Sequence, residues 1–152
     1  GLGVTAHRGA VVIVRDSGVW LEYVCSGEKT EAAEAVIQRA NTADTGGLIA
    51  PTVIAEVPYR VRRVKDNATA AETVNAIHDF GYIESLPLVD EIAEYAAELR
   101  AKYYDPGERE LSYADAIHLA TAIIHDECDA LYSGDPDFGG IDALDGIETV
   151  VL

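Results

Sequence analysis

Methionine is absent from this 152-residue chain, tryptophan occurs once, and cysteine only twice. Cys25 and Cys128 lie far apart and form neither a C-x-x-C pair nor a zinc spacing. A disulfide scaffold and a thiolate metal site are therefore excluded, and both read as reduced, partly buried thiols. No run approaches the roughly 18 apolar residues of a membrane helix. No apolar secretory segment precedes the first strand-like run, so a cytoplasmic location is expected. Without an initiator methionine, residues 1–10 read as an N-terminal tail or a cloning remnant, with one domain over 11–152. Positive charge is the scarcest commodity: 11 Lys and Arg face 27 Asp and Glu, for a net charge of −16. Only Lys29, Lys65 and Lys102 are lysines. Polyanion binders ordinarily carry basic surface, so this balance is unusual for any protein acting on nucleic acid. Disorder is not the explanation, because 49% of residues are hydrophobic. Lysine depletion together with acid excess fits a halophilic cytoplasm, whose salt screens the carboxylates from one another, better than a merely acidic mesophilic protein.

What is present is an alternation of strand-like and helix-like segments. Val11 to Val14 is a β-branched run, read as the first strand. Helices are expected over 17–24 and 31–43, the second broken by Gly46-Gly47. A second strand follows at 48–50, then a helix from Pro51 to about Lys65 with a kink at Pro58. Further helices are expected over 69–80, 89–104 and 112–127, with strands at 82–86, 130–132 and 149–152. Strands separated by helices imply crossover units, hence an α/β domain with a parallel sheet covered on both faces. In such sheets ligands bind beyond the carboxyl ends of the strands.

Four acids can face that end. Asp16 follows the first strand, and Asp135 follows the fourth within Ser133-Gly134-Asp135-Pro136-Asp137-Phe138. Glu56 lies on the helix after the second strand, and Asp115 near the start of the helix from Ser112. Each has a plain structural reading. Asp115 completes an S-x-x-D capping box with Ser112. Glu56 can pair with Arg60. Asp16, Asp135 and Asp137 can form turns. Gathered together, though, carboxylates repel and call for a hard cation, and all-oxygen ligation selects Mg²⁺ or Mn²⁺. A cation held by acids and facing phosphate is the arrangement of a phosphodiesterase.

With these residues in place, the chain resembles the PIN-domain family, close to VapC-type toxins and related archaeal PIN proteins. The matching segments run from Val12 to Leu21 (VIVRDSGVWL), Ala50 to Val57 (APTVIAEV), Leu111 to Ala122 (LSYADAIHLATA) and Leu131 to Phe138 (LYSGDPDF). The resemblance implies about five strands in the order 3-2-1-4-5 and metal-dependent RNA cleavage. It carries Asp16, Glu56, Asp115 and Asp135 onto an acidic catalytic and metal-binding quartet. Ser133 falls on a supporting hydroxyl position, and Asp137 on a variable one. Arg15 departs from the pattern, since an apolar residue commonly precedes the first acid. A homodimer and an antitoxin partner are further implications of the resemblance.

Arg60 and Arg63 follow Glu56 by four and seven residues, on one helix face, and are candidate RNA-phosphate contacts or solvated arginines. His118, one turn past Asp115, suits a packed or hydrogen-bonded imidazole better than a ligand in an oxygen-rich site. The leading reading is an endoribonuclease acting as the toxin of a toxin–antitoxin pair. The alternatives are a PIN nuclease for ribosomal or transfer RNA processing and a PIN-like binding module without turnover. A haloacid-dehalogenase phosphatase wants Asp-x-Asp after the first strand, where this chain has Asp16-Ser17-Gly18. A receiver domain wants a lysine following a strand, and none does.

Overall fold

The computed structural model describes residues 11–15, 17–25, 28–40, 45–125, 128–133 and 148–151. Asp16, Asp135 and Asp137 lie outside these residues, as do residues 1–10. The elements in chain order are β1 (Val11–Arg15), α1 (Ser17–Cys25), α2 (Thr30–Ala40), β2 (Thr45–Ile49), α3 (Pro51–Val64), α4 (Asn67–Asp79), β3 (Ile83–Ser85), α5 (Asp90–Tyr103), α6 (Tyr113–Ile124), β4 (Cys128–Ser133) and β5 (Glu148–Val151). The α/β reading stands, with helices dominating the chain. The strands pair in parallel in the order β3-β2-β1-β4-β5.

The sheet separates two cores, and the alternation of strand side chains explains why. Leu48 packs with Ile92, Ala96 and Leu99 of α5 and with Ala116, Leu119 and Ala120 of α6. The next residue, Ile49, faces the other way, into Val19 and Trp20 of α1, Ile37 of α2, Val53, Val57 and Val61 of α3, and Ile77 of α4. On α3 these valines recur every four residues, one buried stripe on a helix whose other residues are half-buried or exposed. Trp20 is fully buried and meets the Tyr23 and Phe80 rings edge-on, with centroids 6.5 and 5.5 Å away. Beside it, between α1 and α4, lies an apolar cavity of about 270 Å³.

Two boundaries differ from the sequence expectation. Gly46 and Gly47 do not break a helix. They lie inside β2, paired with Val12 and Ile13 of the central strand. Tertiary pairing overrides the local weakness of glycine here, since the Gly47 N–H donates to the Tyr82 carbonyl at 2.8 Å. The helix expected from 69 begins two residues earlier, at Asn67, because Asp66 caps it by accepting the Thr69 N–H at 2.7 Å. Pro58 is contained within α3. Cys25 is a free thiol.

Candidate active site

Topology decides which side chains can meet. Helix α3 leaves the carboxyl end of β2 after Ala50 alone, with Pro51 opening the helix. Helix α6 feeds into β4, so in a parallel sheet its N-terminus lies at that same end. The start of each helix therefore stands over the strand ends, where β4 closes with the fully buried Ser133.

His118 joins the two helices. Its side chain is 1% exposed, with Nε2 3.1 Å from the Thr52 hydroxyl and 3.6 Å from Glu56 Oε1. Thr52 and Glu56 are one turn apart on α3, and Asp115 and His118 are three residues apart on α6. One imidazole thus brings the faces carrying Glu56 and Asp115 toward each other. Nδ1 is buried without a hydrogen-bond partner among the described residues. A proton assigned to Nε2 suits this geometry, because an Nε2 lone pair would face the carboxylate of Glu56. The Glu56 side chain remains 43% exposed, open to solvent and to whatever approaches the strand ends.

Asp115 has the structural role its spacing suggests. The Ser112 hydroxyl accepts the Asp115 N–H at 3.1 Å, and Asp115 Oδ2 accepts the Ser112 N–H at 3.2 Å, completing a capping box. The cap fixes the carboxylate at the first turn of α6, at the end of the sheet, and a second role for the same group is compatible with it.

Of the acidic quartet, Glu56 and Asp115 lie within the described residues, and Asp16 and Asp135 lie outside them. Among the described residues no group of three or more His, Cys, Asp or Glu side chains gathers as a metal site. Arg15, which precedes Asp16, pairs across the sheet with Tyr132, which precedes Ser133. The donors described at this end are carboxylate and hydroxyl oxygens, and the one imidazole is already engaged with Thr52. That chemistry suits Mg²⁺ or Mn²⁺ better than Zn²⁺. Arg60 and Arg63 are exposed on α3, and Arg63 donates to the Tyr59 hydroxyl at 3.0 Å. Thr52 was not legible as a site residue. Its signal is its position one turn before Glu56, facing a histidine one turn after Asp115.

A model of the PIN domain family matches residues 13–144. The chain belongs to the PIN-domain family. Its fold is shared with VapC20 of Mycobacterium tuberculosis, a toxin that cleaves the sarcin–ricin loop, at a TM-score of 0.69 and 16% identity. That alignment covers 88% of this chain and 97% of the other. VapBC2 of Rickettsia felis, solved on a DNA fragment from its promoter, aligns at 0.67 and 15% identity, covering 91% and 98%. VapBC-5 of M. tuberculosis aligns at 0.61 and 21% identity, covering 93% and 99%. No curated protein matches by sequence. No helix among the described residues of this PIN protein is long and apolar enough to cross a membrane.

Proposed function

We propose that this PIN protein is a metal-dependent endoribonuclease that acts as the toxin of a toxin–antitoxin pair. The observation that carries the reading is the His118 bridge, which draws the Glu56 and Asp115 faces of two helices to one end of the sheet. Membership of the PIN family and the fold shared with an RNA-cleaving toxin support it. In this reading Asp16, Glu56, Asp115 and Asp135 hold Mg²⁺ or Mn²⁺, with the Ser133 hydroxyl and Asp137 in supporting positions. Bound there, the cation would supply a water of lowered pKa and neutralise charge on the phosphodiester. In the same reading Glu56 and Asp115 contribute oxygen donors from α3 and α6, and His118, 3.6 Å from Glu56, orients that carboxylate. Arg60 and Arg63, both exposed on α3, in the same reading meet RNA phosphates.

The partner readings follow the same relatives. VapBC-5 is a member of a family of toxin–antitoxin systems, which supports an antitoxin for this chain, while a homodimer as its working form rests on the family resemblance alone. The net charge of −16 supports a basic partner segment, because an acidic surface both attracts and orients a cationic peptide. The deciding experiment incubates the protein with total RNA in Mg²⁺ or Mn²⁺, with and without chelator. Cleavage that chelator abolishes and Mn²⁺ restores is the expected result. Full cleavage in excess chelator, or none under any condition, overturns the reading.

A further inference from the structure

We propose that Tyr113 and Tyr104, whose rings both meet the Arg100 guanidinium, form a platform on which a base of single-stranded RNA rests at the start of α6, the end of the helix that carries Asp115. The inference rests on the ribonuclease reading and adds to it where the strand lies. The Arg100 guanidinium carbon is 4.3 Å from the Tyr113 ring centroid and 4.5 Å from that of Tyr104. Its Nε donates to the Leu111 carbonyl at 3.0 Å, which anchors the guanidinium where it meets both rings.

Both tyrosines are open to solvent. Tyr113 is 65% exposed and Tyr104 38%, and Tyr113 is the largest such exposure among the described aromatic residues. Tyr113 is also the first residue of α6, directly after the Ser112 cap and two residues before Asp115. Tyr113 and Asp115 therefore share the N-terminal turn of α6 but lie on different faces of it. Arg109 and Lys102 lie over the neighbouring Tyr103 ring at 5.7 and 5.5 Å, so three of the chain's eleven cations occupy this corner. Asp105, Glu108 and Glu110 on the same loop offset their charge. Phosphate neutralisation is consequently a poor source of affinity here, whereas stacking is not, because every base has a π-face and the contact needs no net charge. Arginine held against the rings adds a cationic edge to the same surface.

The test is fluorescence anisotropy with a labelled single-stranded RNA 12-mer in an Asp16→Asn background, alongside KM and kcat in the otherwise wild-type protein. Tyr113→Ala should weaken binding by about tenfold, the loss of one stacked base. It should raise KM by a similar factor while leaving kcat and the melting temperature near their wild-type values. Tyr113→Trp should restore binding, and Tyr82→Ala, an exposed tyrosine at the amino end of β3, should leave it unchanged. RNA cleavage by wild type with unchanged binding and KM in Tyr113→Ala overturns the platform alone. An equal loss in Tyr82→Ala also overturns it, since the effect would then not belong to this corner. A wild-type protein that neither binds nor cleaves RNA overturns the platform and the ribonuclease reading together.

Discussion

Asp115 is asked to cap a helix and to bind a cation, and two substitutions separate the roles. In the capping box Ser112 and Asp115 exchange hydrogen bonds of 3.1 and 3.2 Å. Ser112→Ala removes the hydroxyl acceptor and leaves the carboxylate in place. An N-cap serine replaced by alanine costs about 1 kcal/mol. Asp115→Asn keeps an amide oxygen for the Ser112 N–H but removes a charge favoured at a helix N-terminus, for about 0.3–1 kcal/mol. For a domain of this size Ser112→Ala should lower the melting temperature by about 2–4 °C and Asp115→Asn by about 1–4 °C. Cleavage should divide the two variants. A cation contributes several kcal/mol of charge stabilisation in the transition state, and each 1.36 kcal/mol is tenfold in rate. Losing one of its ligands should therefore reduce cleavage by roughly a hundredfold or more, while Ser112→Ala should stay within a few fold of wild type. The assay pairs thermal melts with initial rates on a labelled RNA at saturating Mn²⁺. If Ser112→Ala loses as much cleavage as Asp115→Asn at equal melting temperature, Asp115 acts only through the cap and the quartet reading loses a member.

Other perturbations test other parts of the structure. His118→Leu should destabilise the fold by about 1–3 kcal/mol, because Thr52 and Glu56 lose a buried partner. It should also weaken Mn²⁺ binding in calorimetry, with His118→Gln recovering part of both, and an unchanged Mn²⁺ affinity would refute the positioning role. Leu119→Ala, at a site 1% exposed in the α5–α6 core, should cost about 2–5 kcal/mol in denaturant melts, and a loss under 1 kcal/mol would mean that the site collapses around the gap. Asp66 has its pKa held below the ordinary aspartate range by the Thr69 N–H and then the Thr69 hydroxyl. A depressed carboxylate stabilises at pH above its unfolded value of about 3.9 and loses that contribution as pH falls through the lower folded value. Protection of the first α4 amides from exchange should therefore fall below about pH 4 in wild type but not in Asp66→Asn, and identical profiles would refute the cap as the cause. RNA affinity should depend weakly on salt, with a log–log slope of only about −1.4 if Arg60 and Arg63 are the phosphate contacts. A slope several times steeper would reveal a basic surface other than α3.

Period and punctuation made the secondary structure of this chain readable without its fold. The β-branched run at Val11, the proline opening α3 and the S-x-x-D start of α6 are local signals with local causes. They suffice for an α/β domain and for the carboxylates that could face one end of its sheet. They mislead where a distant partner outweighs local preference, as at Gly46-Gly47, which join a central strand because Val12 and Ile13 supply pairing that glycine propensity does not foresee. Tertiary structure alone put His118 against Thr52 and Glu56, residues more than sixty positions away. It alone set Arg100 against Tyr104 and Tyr113 at the corner of α5 and α6. The physical reason is the same in both cases. A side chain's partners across helices depend on how those helices pack over the sheet, and packing is a property of the whole core rather than of any segment.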